Sequence, residues 1–105
     1  MPEYLKTKNE YDQALKDAGN KLVVIDFTAA WCGPCKVIGP KFEAMSLEFT
    51  DVKFYKVDVD DNDETAEHVG ISAMPTFNFY KNSEKIGSVT GANEAKLREK
   101  INELK

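Results

Sequence analysis

Cysteine is scarce in this chain, with two among 105 residues, and histidine occurs once. Two sulfurs are only half of the four ligands a structural zinc ion normally takes, which leaves metal held between two copies as a remote reading. Both fall in one pentapeptide, Trp31-Cys32-Gly33-Pro34-Cys35. A bridge between them closes a loop of a few residues and removes little unfolded-state entropy, so the pair is better placed to react than to brace. Long apolar runs are missing, and no stretch approaches the roughly 20 residues needed to span a bilayer. The order Met1-Pro2-Glu3-Tyr4-Leu5-Lys6 lacks the basic-then-apolar pattern of a signal peptide. Basic excess is missing too. A net charge of −4 argues against nucleic acid or an anionic membrane as the main partner. A CxxC pair without an export signal predicts a reducing compartment, most simply the cytosol.

What is present is an ordinary globular balance, 42% apolar and 30% charged residues, at a length typical of one domain. One domain over 1–105 is the expectation, since no linker, repeat or low-complexity segment interrupts the pattern. Thr7-Lys8-Asn9-Glu10 has capping-box spacing, and Tyr11, Ala14, Leu15 and Ala18 follow on one helical face up to Gly19. Residues 22–27 form an almost wholly apolar strand, as a sheet covered on both faces requires. Ile38, Phe42, Met45 and Phe49 recur at helical spacing, with Pro40 inside predicting a kink. A second central strand is expected over 52–59 and a short helix from about Asp63 to Gly70. Thr76–Tyr80 and Lys85–Val89 read as a hairpin around Asn82-Ser83. A last helix starts near Asn93, with Leu97, Ile101 and Leu104 as its buried stripe. The order predicts an α/β domain, a mixed sheet with helices on both faces.

The reactive pair lies where a strand gives way to a helix. There the Cys32 sulfur faces unpaired backbone N–H groups and the positive end of the helix dipole, both of which favour thiolate. A fall of ~1.5 units from a pKa of ~8.5 would raise the thiolate fraction at pH 7 ~15-fold, and lower nucleophilicity would return ~5-fold of that. The net gain as attacker is small, so a second sulfur must drive reduction of a target. Cys35, less than a turn further on and expected to be more buried, takes that role by attacking the mixed disulfide intramolecularly. Pro34 stiffens the first turn at no hydrogen-bonding cost, and Gly33 leaves the surface open to a docking chain. Asp26 interrupts the apolar strand, and burial there should raise its pKa toward neutrality. Asp58, Asp60 and Asn62 imitate the start of a calcium loop, but Asp63 stands where glycine is needed and Val69 where glutamate is needed. They read instead as a solvated strand end and helix start, with Asp61 and Glu64 at capping-box spacing. His68, on a short polar helix, is expected to be exposed and inert.

The pentapeptide after a strand bearing one aspartate, Met74-Pro75-Thr76 before another strand, and Gly91-Ala92-Asn93 before the last helix together resemble the thioredoxin family over the whole chain. The Val57-Asp58-Val59-Asp60 strand end looks closer to eukaryotic cytosolic members than to bacterial ones. The resemblance implies a thioredoxin fold, a central mixed sheet of about five strands flanked by about four helices. It implies a protein disulfide reductase, a dithiol–disulfide electron carrier with no bound cofactor. Electrons would come indirectly from NADPH through a flavoprotein, thioredoxin reductase, and pass to disulfide-containing client proteins. Cys32 is then the nucleophile, Cys35 the resolving thiol and Asp26 its proton relay, with Gly33 and Pro34 tuning the redox pair. Lys56 matches a lysine that neighbours the aspartate, though a solvated strand-edge lysine fits the residues equally well. The family's cis proline would fall at Pro75 and turn the Met74 backbone outward for strand-like substrate pairing. Trp31, Met74, Gly91 and Ala92 would line the groove, although core packing remains open for Trp31 and a plain turn for Gly91. Thr28 stands where bacterial members carry a second tryptophan. Asn62, Val69 and Ala73 stand where vertebrate members carry extra cysteines, so a monomer without secondary-thiol regulation is expected. The competing function is a redox-gated binding module whose groove docks a partner only while the sulfurs are reduced.

Overall fold

The computed structural model describes Met1 to Lys105. Five strands, β1 (Glu3–Tyr4), β2 (Val23–Thr28), β3 (Lys53–Asp58), β4 (Thr76–Lys81) and β5 (Glu84–Thr90), form one sheet in the order β1-β3-β2-β4-β5. β1 and β2 run parallel to β3, whereas β4 is antiparallel to both β2 and β5. Four helices complete the chain: α1 (Lys8–Ala18), α2 (Gly33–Glu48), α3 (Asp63–Val69) and α4 (Glu94–Leu104).

Alternation along the strands divides the interior in two. Val24, Phe54, Phe77 and Phe79 pack with Ile38, Phe42, Met45 and Phe49 of the α2 segment and with Leu97 and Ile101 of α4. Val23, Ile25, Phe27 and Val57 pack on the other face with Tyr11, Ala14, Leu15 and Ala18 of α1. Leu104, expected to be buried, is half-buried at the end of its helix. Period-two side-chain direction puts Asp26 and Lys56 on the α2 face, since they follow Val24 and Phe54 by two residues.

Local signals account for most boundaries. Thr7 caps α1 by accepting from the Glu10 amide, while the Glu10 carboxylate reaches back to the amide of Lys6. The helix ends at Gly19, whose φ of +57° lies where glycine is favoured. Asn82 and Ser83 both have positive φ, the signature of the type I′ turn whose twist matches a two-residue hairpin. α2 runs through Pro40 as one element, with Pro40 on its exposed side.

Two expectations need correction. The cap of α3 is Asn62, one residue later than the Asp61–Glu64 pattern suggested; its side chain accepts from the Thr65 amide. The buried Asn62 amide also donates to the Leu5 carbonyl, a long-range bond that an exposed Asp61 cannot make. The second is β1, which periodicity did not reveal. Two residues carry no pattern, and β1 exists because β3 offers it a parallel edge, sealed by the Leu5 amide donating to Lys56 O at 2.8 Å.

Candidate active site

Cys32 occupies the N-cap of α2, and Gly33 and Pro34 form its first turn, where proline's missing N–H costs nothing. The two cysteines are joined as a disulfide with Cα atoms 5.3 Å apart. Cys32 Sγ accepts from the Cys35 amide at 3.2 Å, so a helix-end N–H group points at this sulfur. In the reduced protein that contact and the helix dipole favour Cys32 as thiolate. The expected difference in accessibility is absent: Cys32 is 5% exposed and Cys35 4%. An N-cap residue whose sulfur folds back onto its own helix is covered as thoroughly as one in the first turn. What differs is the surroundings. Cys35, and not Cys32, lines a cavity of about 340 Å³ shared with Tyr4, Gly39, Glu43 and Lys56.

Ala29, Cys32 and Cys35 make a small apolar cluster against which Val59 and Met74 pack. The Met74–Pro75 bond is cis. The Pro75 carbonyl accepts from the Gly91 amide at 2.9 Å, tying the two loops together. Gly91 has φ of +102°, where a side chain would be strained, so its residue type follows from backbone conformation. Ala92 is exposed beside it. Trp31 is not a core residue: it is 66% exposed, and its indole N–H donates to Asp60 at 2.7 Å. The structure thus brings Met74 onto the sulfurs and Gly91 onto Pro75, and stands Trp31 on the surface next to Cys32.

Asp26 is 1% exposed, and Oδ1 has no hydrogen-bond partner. Burial pushes its pKa up from the usual carboxylate range to about 7, against the opposing pull of the Lys56 ammonium. Lys56 is no solvated edge residue. β3 is an inner strand, and Lys56 is buried directly across from Asp26. Its ammonium contacts Glu43 Oε1 at 3.4 Å and lies 5.6 Å from the centre of the Tyr4 ring. Neither Glu43 nor Tyr4 was singled out from the sequence. Cys35, Gly39 and Glu43 recur every four residues, so the helical period alone places Glu43 on the cysteine face. Tyr4 gave no such signal. The acidic run after β3 forms a turn in which Asp58 Oδ1 accepts from the amides of Asp60 and Asp61. His68 is exposed, with its ring edge-on to Tyr11.

This geometry matches known proteins along its full length. The thioredoxin family model matches residues 3–103. Thioredoxin of Geodia cydonium is 65% identical over 106 residues, covering 100% of both chains. Human thioredoxin is 46% identical over 104 residues, covering 99% of each. The X-ray structure of Fasciola hepatica thioredoxin superposes with a TM-score of 0.97 at 44% identity, again over 100% of both chains. The chain belongs to the thioredoxin family, and is a thiol–disulfide oxidoreductase whose redox group is the Cys32–Cys35 pair.

Proposed function

We propose that the reduced protein transfers two electrons to disulfides of other proteins, with Cys32 as nucleophile and Cys35 as resolving thiol. The observation that carries the assignment is the Cys32 sulfur at the helix N-cap, receiving the Cys35 amide. The Cys32 thiolate attacks one sulfur of the target. A Cys32–target bond forms, the target disulfide breaks, and the departing thiolate takes a proton. Cys35 then gives its proton to ionised Asp26 and attacks Cys32 Sγ. The Cys32–Cys35 bond forms and the second target sulfur leaves, protonated in turn. The target ends as a dithiol and the protein as the disulfide. A carboxyl group with a pKa of about 7 is present in both forms at neutral pH, as a relay must be.

The groove side supports the same reading. Met74 packs against the two cysteines and Gly91 is tied to Pro75. The proposed groove runs along these residues and Ala92, with an extended substrate segment pairing in strand fashion at Met74. Gly33 and Pro34 hold the two sulfurs within one turn, and Lys56 tempers the relay. Thioredoxin reductase is the partner proposed to return electrons, and the reducing cytosol is the proposed compartment. The protein is proposed to act as a monomer.

Insulin reduction with the purified protein tests this. Cys32→Ser and Cys35→Ser should each abolish turnover, and only Cys35→Ser should accumulate a covalent target adduct by mass spectrometry. Full turnover by Cys32→Ser would defeat the assignment. A second reading, a binding module gated by the redox state, draws on the exposed Trp31 and the half-buried Met74 around the pair. It predicts redox-dependent binding of a partner by the unsubstituted protein without turnover, and redox-independent binding by both serine variants, which cannot close the disulfide.

A further inference from the structure

Lys56 and Asp26 are cross-strand neighbours on one face of the sheet, yet they do not form an ion pair. An ammonium within about 4–6 Å of a carboxyl group typically lowers its pKa by ~1–3 units. Full pairing would therefore keep Asp26 ionised at neutral pH and unable to give its proton back. The ammonium is instead turned toward Glu43 and Tyr4, while Asp26 Oδ1 is left without a partner.

Three elements shape this arrangement. β1 pairs with β3 so that Tyr4 is the cross-strand partner of Lys56, and the row continues to Asp26 on β2. Tyr4, 47% exposed, lines the cavity and offers its ring face to the ammonium, a cation–π contact. From α2, Glu43 supplies the opposite charge, and Gly39 lies beside the ammonium, where a Cβ would make only ordinary contact with Lys56 Nζ at 3.9 Å. The other ionisable groups around the cavity are committed elsewhere. Asp58 accepts from two backbone amides, Lys36 is exposed, and Cys35 is in the disulfide.

We infer that Tyr4 and Glu43 are positioning residues that hold the Lys56 ammonium off Asp26, and so set the pH range over which that carboxyl group exchanges protons with Cys35. The functional meaning rests on Asp26 acting as the relay; the positioning itself does not.

The test is a pH titration of the Asp26 side-chain carboxyl carbon by NMR in the oxidised full-length protein. Glu43→Gln and Tyr4→Ala should each lower the midpoint by about one unit, a tenfold change in the ionisation equilibrium. Tyr4→Phe keeps the ring and should leave the midpoint in place. Lys56→Met should raise the midpoint and abolish both downward shifts. An unchanged or raised midpoint in Glu43→Gln or in Tyr4→Ala overturns the role of that residue. Persistence of the shifts in the Lys56→Met background overturns the proposal altogether, because loss of a like charge or entry of water would then act on Asp26 directly. The relay is judged separately: identical pH profiles for the resolving step in the unsubstituted protein and Asp26→Asn would end that reading, while the carboxyl titration still decides the positioning.

Discussion

Replacing Asp26 by asparagine should change the pH dependence of stability in a direction opposite to that of a surface carboxylate. Burial raises the Asp26 pKa from 3.8 to about 7, so between those values the native state holds a proton that the unfolded chain has released. Unfolding free energy therefore falls as pH rises through this window and levels off above the folded value. About three units at ~1.4 kcal/mol each amount to about 4 kcal/mol, present in full below the unfolded pKa and lost by about pH 8. Asparagine has no such ionisation. It brings a buried amide that needs partners, at a cost of ~1–3 kcal/mol, but that cost does not vary with pH. The readout is thus the change in the stability difference, not its absolute size. In urea denaturation of the oxidised proteins, the variant's midpoint should gain on the unsubstituted protein by ~2 M between pH 4 and pH 8, for a slope of ~2 kcal/mol/M. Parallel curves for the two proteins over that range would show that Asp26 ionises normally, and the relay would lose its physical basis.

Two further outcomes are expected from backbone conformation. Ser83→Gly places the favoured residue at a φ of +63° in the hairpin turn and should raise stability by about 0.5–1 kcal/mol in the same denaturation assay; no gain would count against strain at this turn. Gly91→Ala forces a side chain onto a φ of +102° next to the bond that anchors Pro75, and should cost about 1–3 kcal/mol. The same variant should raise KM for insulin with little change in kcat, and an unaltered KM would remove this loop from the groove.

The parts of the fold that could be read from sequence are those whose cause is local. Thr7, Gly19, Asn82-Ser83 and Asn93 mark turns and caps through their own side chains or φ values, and each lies at the boundary expected of it. The apolar stripe of α2 and the alternation in β4 follow from the 3.6 and 2.0 periods. β1 has no local cause: two residues become a strand only because β3 presents an unpaired edge. Asn62 outcompetes Asp61 as a cap because of a carbonyl 57 residues away. The same division holds at the site. The CxxC pair and the solitary aspartate in an apolar strand stand out as chemistry. Glu43 and Tyr4 look like ordinary surface residues until the sheet and α2 bring them to one ammonium.

The near-equal burial of the two sulfurs changes how their division of labour must be explained. Shielding cannot separate the proposed nucleophile, 5% exposed, from the proposed resolving thiol, 4% exposed. Their surroundings can. Cys32 Sγ receives a helix-end N–H, so its charge is stabilised by a fixed donor. Cys35 lines the cavity, with Glu43, Lys56 and, one strand beyond, a carboxyl group poised near neutrality. One sulfur is supplied with a fixed dipole and the other with an exchangeable proton. The first favours standing thiolate and the second favours thiolate on demand, which is the order in which the two attacks must occur.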